Sequence, residues 1–205
     1  MYDVIVLGLG GMGSAAAAHL SARGKRVLGL EQFTPAHDRG SSHGDSRMIR
    51  QAYYEDPAYV PLLLRAYALW ADLELDSDEP LYLRTGGLMV GRLDSELVQG
   101  SLRSAREHNL KHELLEAGEI MRRYPATNPR EAEVAVFEEP AGILFPEACI
   151  RAHLKRATSL GADLRFETEV RSWQARSSGG VEVTIASGER FEAERLIICA
   201  GAWLQ

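Results

Sequence analysis

The stretch Gly8-Leu9-Gly10-Gly11-Met12-Gly13 directly follows the apolar run Asp3-Val4-Ile5-Val6-Leu7 and precedes an alanine-rich segment, residues 14–23. The apolar run shows no alternation of polar and apolar side chains, which is typical of a strand buried on both faces of a parallel sheet. Gly24 ends the predicted helix, and residues 26–30 form a second short apolar run. The stretch therefore predicts a β-α-β unit with a tight glycine turn before its helix.

The glycines of this turn fit the spacing G-x-G-x-x-G, and each has its own physical task. Gly8 permits the tight turn, Gly10 lets the backbone approach a pyrophosphate, and Gly13 lets the helix pack closely on the strand. Free N–H groups and a positive dipole at the start of the helix favour an anion. Glu31, which lies 23 positions after Gly8, would accept hydrogen bonds from an adenosine ribose and repel a 2′-phosphate, which disfavours NADP. We predict a dinucleotide site; the alternative is a glycine turn that only packs a helix on a strand.

The glycine turn by itself does not distinguish NAD from FAD. Alternating runs at Val170 to Ala175, Val181 to Ile185 and Arg190 to Ala193, separated by turn sequences, predict a β-meander that leads into a buried strand at 196–199. Many FAD domains place a small antiparallel sheet here, whereas a simple NAD domain more often has a helix. The meander therefore favours FAD, and an NAD-dependent Rossmann dehydrogenase is the alternative.

The order of the patterns predicts an α/β fold in which a Rossmann-like, doubly wound parallel sheet with a β-meander crossover is interrupted by a partial α+β substrate domain. We predict a discontinuous FAD-binding domain from residues 1–80 and 146–205, and a partial substrate-binding domain from residues 81–145. The other predicted elements are an amphipathic helix from Tyr59 to Leu73, a hairpin of 81–85 and 87–91, a helix at 95–109, strands within 133–145, a helix at 146–160 and a strand at 162–166.

The composition describes a globular chain with a substantial core. Of the 205 residues, 45% are hydrophobic and 25% are charged, which excludes a disordered tail and a fibrous protein. The net charge of −6 provides no broad basic face, so we expect no nucleic-acid partner. Cys149 and Cys199 lie in apolar surroundings without the spacing of metal ligands, so we predict reduced core cysteines, no metal site and a cytoplasmic protein. A secretory signal and a membrane span are not predicted.

The segment 40–54 concentrates small residues, hydroxyl groups, a histidine and two arginines. If this segment is helical, Arg47 and Arg50 share one face because they are three residues apart. Two guanidinium groups that point the same way would hold an amino-acid carboxylate beside a flavin or stabilise the reduced, anionic flavin ring. The alternative is a pair of surface arginines that form ion pairs with acids such as Glu55 and Asp56.

Taken together, these motifs resemble the sarcosine oxidase and N-methyltryptophan oxidase family of D-amino-acid-oxidase-like flavoproteins. The residues that carry the resemblance are the turn Gly8 to Gly13, Glu31, the stretch Ser42 to Arg50, Gly142 to Phe145 with Cys149 to Arg151, and Ala200-Gly201-Ala202-Trp203. The resemblance runs the length of the chain and covers roughly the N-terminal half of such an enzyme, so we expect a truncated N-terminal fragment.

The resemblance implies an FAD-dependent oxidase of a secondary amino acid such as sarcosine, and a monomer. In this family hydride passes to the flavin, water hydrolyses the imine to an aldehyde and an amine, and oxygen reoxidises the flavin to give hydrogen peroxide. A non-catalytic flavin-binding fragment or subunit that needs a partner chain is a further alternative.

The resemblance also implies roles for individual residues. Arg50 matches the arginine that grips the substrate carboxylate, Arg47 one that lies against the flavin ring, and His43 a histidine of the flavin-contacting loop; these are the predicted catalytic residues. The predicted cofactor-binding residues are Gly8, Gly10, Gly11, Met12, Gly13, Glu31, Gln32, Ser41, Ser42, His43, Arg47, Val170, Ala200, Gly201 and Trp203.

Overall fold

The computed structural model describes residues 1–204, which form two compact units. The first unit comprises Met1–Ser46, Leu73–Leu81 and the chain from Phe145 onward, and the second comprises Arg47–Asp72 and Tyr82–Leu144. Residues 47–72 thus group with the second unit, whereas the predicted domains place them in the first. That the two units are an FAD-binding and a substrate-binding domain is a prediction.

The described residues form an α/β fold. The strands are β1 (Tyr2–Leu7), β2 (Val27–Leu30), β3 (Arg47–Ile49), β4 (Tyr82–Arg84), β5 (Gly87–Arg92), β6 (Glu113–Glu116), β7 (Glu133–Glu138), β8 (Gly142–Leu144), β9 (Asp163–Arg165), β10 (Val170–Ala175), β11 (Val181–Ile185) and β12 (Arg190–Ile198). The helices are α1 (Gly11–Ser21), α2 (Val60–Leu75), α3 (Glu96–Glu107), α4 (Ala117–Arg123) and α5 (Pro146–Ser159), with 3₁₀ turns at Pro57–Tyr59 and Gly201–Trp203.

The first unit is built on one sheet with the strand order β10-β11-β12-β1-β2-β9. Strands β12, β1, β2 and β9 are parallel, and β10, β11 and β12 form the antiparallel meander. The predicted Rossmann-like sheet with a β-meander is therefore confirmed.

One element of the meander differs from the prediction. The sequence predicts two strands, at 190–193 and 196–199, but β12 is continuous from Arg190 to Ile198. Its first part pairs with β11 and its second part pairs with β1. The exposed Glu194 and Arg195 interrupt the apolar pattern of the sequence but not the strand. Arg195 pairs with Val4 of β1, and Glu194 lies between the paired residues Ala193 and Arg195.

The core of the first unit lies on both faces of β1, because successive side chains of a strand point to opposite faces. Val4 and Val6 pack with buried residues of α1 and α5, whereas Ile5 packs with buried residues of β11 and β12. A strand covered by helices on one face and by the meander on the other has no polar face. This explains the unbroken apolar run in the sequence.

The second unit contains two three-stranded sheets, β3-β8-β4 and β5-β7-β6. The predicted hairpin of 81–85 and 87–91 is wrong, since β4 pairs with β8 and β5 pairs with β7. Gly86 between them has φ +73° and donates its N–H to the carbonyl of Ala141 at 2.9 Å. The chain therefore passes from one sheet into the other at this glycine. Strand β6 and helix α4 have no counterpart among the predicted elements.

The condition under which Arg47 and Arg50 would share a helical face is not met. Residues 47–49 form β3, in which Arg47 lies opposite Leu144 and Ile49 lies opposite Gly142. The antiparallel ladder with β8 supplies the backbone hydrogen bonds that a helix would otherwise supply. The sequence around Arg47 carries no signal of its distant partner strand.

Within residues 1–204, none of the helices combines the length and apolar character needed to span a membrane. The same residues contain no group of three or more His, Cys, Asp or Glu side chains arranged to hold a metal ion.

Candidate functional site

A cavity of about 610 Å³ lies in the first unit, at the carboxyl ends of β1, β2 and β12. In open parallel α/β sheets this edge is where ligands bind. Twelve of the predicted cofactor-binding residues line the cavity: Gly8, Gly10, Gly11, Met12, Glu31, Gln32, Ser41, Ser42, Val170, Ala200, Gly201 and Trp203. A cavity of this volume is large enough for a cofactor.

The glycine turn between β1 and α1 leaves no room for larger residues at two of its positions. Gly8 has φ +87°, and a Cβ atom there would lie 2.6 Å from the carbonyl oxygen of Cys199. A Cβ atom on Gly13 would lie 1.8 Å from the carbonyl oxygen of Gly8. Gly13 does not line the cavity, so its contribution is the close approach of the helix to the turn. At Gly10 a Cβ atom would meet no atom within 4 Å, so this position faces open space.

The amino terminus of α1 is free of side-chain caps. Gly10 is the N-cap, it makes no side-chain cap hydrogen bond, and the first turn has no acidic residue. The first intrahelical bond runs from the amide of Ser14 to the carbonyl of Gly10 at 2.9 Å. The preceding amide groups have no intrahelical acceptor, and Gly10, Gly11 and Met12 line the cavity. An uncapped helix start with no acidic residue in its first turn fits the pyrophosphate of a dinucleotide such as FAD.

Glu31 lies directly after β2, at the wall of the cavity, and is only 5% exposed. Its Oε2 accepts the N–H of Leu9 at 2.8 Å, and its Oε1 accepts the N–H of Phe33 at 3.1 Å. The Nε2 of His37 lies 3.5 Å from the same Oε1. Each carboxylate oxygen has a second lone pair, so Glu31 can still accept hydrogen bonds from ribose hydroxyl groups.

His37, Arg39 and Trp203 line one side of the cavity, and all three contact Phe33. The ring of Phe33 packs edge-on against His37 at 4.8 Å and Trp203 at 5.2 Å between centroids, and the guanidinium of Arg39 lies 4.8 Å from its centroid. The indole N–H of Trp203 donates to the carbonyl of Arg39 at 3.0 Å. Of these four, only Trp203 was predicted. The unusual length of the loop after β2 was the one signal that pointed to the others.

The loop of residues 40–46, which contains three serines, passes close to the start of α1. A Cβ atom on Gly11 would lie 2.6 Å from the Oγ of Ser42. Farther along, the amide of Gly44 donates to the Oε1 of Glu147 at 2.7 Å, which ties the loop to the first turn of α5. His43 lies between these two contacts and is not among the residues that line the cavity.

Arg50 lies in the second unit among aromatic side chains. Its guanidinium carbon lies 4.5 Å from the ring centroid of Tyr53 and 5.7 Å from that of Tyr54, and its Nη2 lies 3.4 Å from the Oε1 of Glu55. The ion pair with Glu55 that the alternative predicts is therefore present. Asp56 instead accepts the N–H of Ala58 at 2.8 Å and caps the 3₁₀ turn.

The two cysteines differ in their surroundings. Cys149 is buried, and burial raises the pKa of its thiol to about 12, which makes it unreactive. Cys199 is only half-buried: it packs against the core of the first unit and also lines the cavity beside Gly8. It follows β12 directly, and the end of a parallel strand is where the sheet opens toward a ligand.

Comparison with known proteins places these features in a family. The family model described as FAD dependent oxidoreductase, DAO, matches residues 3–205. The chain is 55% identical to monomeric sarcosine oxidase from Streptomyces avermitilis over 202 residues, which are 98% of this chain and 52% of that protein. It is 37% identical to N-methyl-L-tryptophan oxidase from Salmonella arizonae over 205 residues, which are 100% of this chain and 54% of that protein. The chain spans about half the length of the curated relatives it matches.

Solved structures give the same result. NikD, described as an unusual amino acid oxidase essential for nikkomycin biosynthesis, superposes with a TM-score of 0.87 at 26% identity, over 99% of this chain and 52% of NikD. Glycine oxidase from Geobacillus kaustophilus superposes with a TM-score of 0.81 at 26% identity, over 98% of this chain and 56% of that one. The match to the family model over nearly the whole chain decides between the two cofactors left open by the glycine turn, in favour of FAD. The chain belongs to the DAO family of FAD-dependent oxidoreductases.

Proposed function

We propose that this chain carries the FAD-binding part and an arginine of the substrate site of an oxidase that acts on a secondary, N-methyl amino acid such as sarcosine. The products are an imine, which water hydrolyses to an aldehyde and an amine, and hydrogen peroxide. The observation that carries the proposal is the uncapped start of α1, which faces a large cavity next to Glu31. The 55% identity to a monomeric sarcosine oxidase supports the substrate class.

The proposed cofactor contacts follow from the lining of the cavity. The amide groups at Gly11 and Met12 would hold the pyrophosphate, and Glu31 would accept hydrogen bonds from the ribose. From the resemblance to the family, Val170 would lie near the adenine, and Ala200, Gly201 and Trp203 would contact the cofactor. Bound FAD supplies an acceptor for two electrons, which amino-acid side chains do not provide.

Arg50 is proposed to bind the carboxylate of the substrate. A guanidinium stays charged in partly buried surroundings and matches the two oxygens of a carboxylate. Its Nη2 contact with Glu55 is 3.4 Å, longer than the 2.7–2.9 Å typical of charge-assisted bonds. Its Nε is buried and has no hydrogen-bond partner. An incoming carboxylate therefore offers this side chain better hydrogen bonds than it has in the structure. Arg47 and His43 are proposed to contact the flavin, from their match to the family motif.

The test is purification of the full-length protein and of the 205-residue chain. We expect the full-length protein to be yellow, to release FAD on denaturation, and to consume oxygen and form peroxide with sarcosine. Colourless protein that binds no added FAD contradicts the proposal. Oxidase activity of the 205-residue chain alone contradicts the alternative that it is a non-catalytic fragment. The monomeric state and the cytoplasmic location stay predictions, which light scattering and cell fractionation test.

N-methyltryptophan is a second candidate substrate, since N-methyl-L-tryptophan oxidases are 35–37% identical to the chain. A comparison of kcat/KM for sarcosine and N-methyltryptophan separates the two. We expect sarcosine to be preferred because the sarcosine oxidase from Streptomyces avermitilis is more similar.

A further inference from the structure

Glu138, at the end of β7, is a buried carboxylate that is held by main-chain amides. It is 1% exposed, and its hydrogen bonds come from backbone N–H groups. Burying an ionised carboxylate without compensation is strongly unfavourable, so its hydrogen bonds show what it holds.

Both oxygens of Glu138 accept hydrogen bonds from the main chain directly after Arg50. Oε2 accepts the N–H of Gln51 at 2.9 Å, and the N–H of Ala52 lies 3.1 Å from each oxygen. Ala52 is fully buried. Residues 51 and 52 belong to no helix or strand, so Glu138 supplies the acceptors that regular structure would otherwise supply.

The groups around Glu138 stabilise its ionised form against the effect of burial. Burial raises the pKa of its carboxyl group, and hydrogen bonds from the amides of Gln51 and Ala52 oppose that rise, as do the positive charge of Arg50 and that of His112. The ionised form is thus stabilised by the segment that it binds.

The two ends of Arg50 are held very differently. Its main chain continues into amides fixed by Glu138, and Glu138 itself is anchored in the sheet opposite Gly87 of β5. Its guanidinium packs over the rings of Tyr53 and Tyr54, but its hydrogen-bonding capacity is little used: the contact with Glu55 is long, and the buried Nε has no hydrogen-bond partner. A guanidinium placed by its main chain and by ring packing, with donors still available, is what a preorganised carboxylate binder requires.

We propose that Glu138 is a positioning residue for carboxylate recognition: by binding the amides of Gln51 and Ala52 it holds Arg50 where its guanidinium can pair with a substrate carboxylate. This inference rests on the proposed role of Arg50.

The test measures dissociation constants by titration calorimetry in the full-length protein loaded with FAD. Methoxyacetate is the probe, because it has the shape of sarcosine with an ether in place of the amine and is not oxidised to an imine. Methoxyacetamide is its uncharged counterpart. We expect Glu138→Gln to raise the Kd of methoxyacetate about tenfold, because one of the two amides then faces an NH₂ group, and to leave that of methoxyacetamide within about twofold.

Three further variants separate positioning from general stability. Glu139→Gln, in the exposed neighbour, should leave both Kd values unchanged. In an Arg50→Ala background, Glu138→Gln should not change the Kd of methoxyacetate further, because the guanidinium that Glu138 positions is already absent. If Glu138→Gln does not fold, Glu138→Asp replaces it; this variant keeps the charge but retracts the carboxylate, and should weaken methoxyacetate binding selectively by about threefold.

The outcomes are distinct. Equal weakening of both probes, or unchanged methoxyacetate binding in the Glu138 variants, overturns the positioning role while leaving the role of Arg50 intact. If Arg50→Ala itself leaves methoxyacetate binding unchanged, the proposed carboxylate site fails and the role of Glu138 fails with it.

Discussion

The carboxylate of Glu31 accepts a hydrogen bond from the amide of Leu9 at 2.8 Å. This bond joins the end of β2 to the glycine turn that follows β1. The residue that recognises the ribose in the proposed site is therefore also part of the framework that shapes the turn. Its second oxygen accepts the N–H of Phe33 at 3.1 Å. The side chain of Glu31 therefore binds the main chain just after β1 and just after β2.

Replacement of Glu31 by Gln should weaken FAD binding by about tenfold or more, because a charged acceptor of two amides and of the ribose becomes a mixed donor and acceptor. Fluorescence titration of the apoprotein with FAD measures the change. Glu194→Gln, in an exposed residue of β12, is the control and should bind FAD as the original protein does. Unchanged affinity in Glu31→Gln would rule out a ribose contact.

Replacement by alanine should affect the stability of the protein at Gly13 but not at Gly10. Gly13→Ala forces a Cβ atom to within 1.8 Å of a carbonyl oxygen and should lower the free energy of unfolding by about 3 kcal/mol or more. Gly10→Ala meets no protein atom and should leave the free energy of unfolding nearly unchanged while weakening FAD binding. Urea unfolding and FAD titration of both variants check this. An equal loss of stability in both variants would show that the steric clash at Gly13 is not what distinguishes the two positions.

Arg50→Ala in the full-length protein should raise KM for sarcosine by about a hundredfold, because a charge-assisted, two-pronged contact with the carboxylate is lost. Arg50→Lys should recover part of the affinity, since a lysine keeps the charge but not the planar fork. Steady-state oxygen consumption measures both. Arg103→Ala, on the exposed face of α3, is the control, and a KM equal to that of the original protein in Arg50→Ala would remove the carboxylate role.

His153 should make stability decline on mild acidification. Burial lowers the pKa of this histidine from 6.5 to about 4, with smaller contributions from His19 and Arg156. The unfolded chain binds a proton near pH 6.5 while the folded chain does not, so the free energy of unfolding falls as the pH drops from about 6.5 to about 4. The loss attributable to this group is at most ~3 kcal/mol. Above pH 6.5 it contributes no slope.

Urea unfolding at pH 7.5 and pH 5 tests this expectation. His153→Leu should show a smaller difference between the two pH values than the original protein. His108→Gln removes a histidine from the end of α3 and should leave that difference unchanged. An unaltered pH dependence in His153→Leu would assign the effect to other groups.

The glycine turn and its neighbours were predictable because their signals are local. A buried strand, a glycine spacing and an acidic residue after the next strand lie within about thirty residues and depend on short-range backbone geometry. The helix at Glu96–Glu107 was likewise predictable from its Ser95 cap and apolar stripe. Strand β3 was not, because its partner β8 lies almost one hundred residues later.

The sequence by itself determined the β-α-β unit, the meander and the resemblance to a flavoprotein family, since each depends on spacing along the chain. Only the tertiary structure decided that Arg47 lies in a strand, that His37 and Arg39 line the cavity, and that Glu138 binds the amides after Arg50. These relationships join residues that are distant in sequence or lie in irregular loops. These contacts are stabilised by strand pairing and burial in the folded chain, which no local sequence pattern encodes.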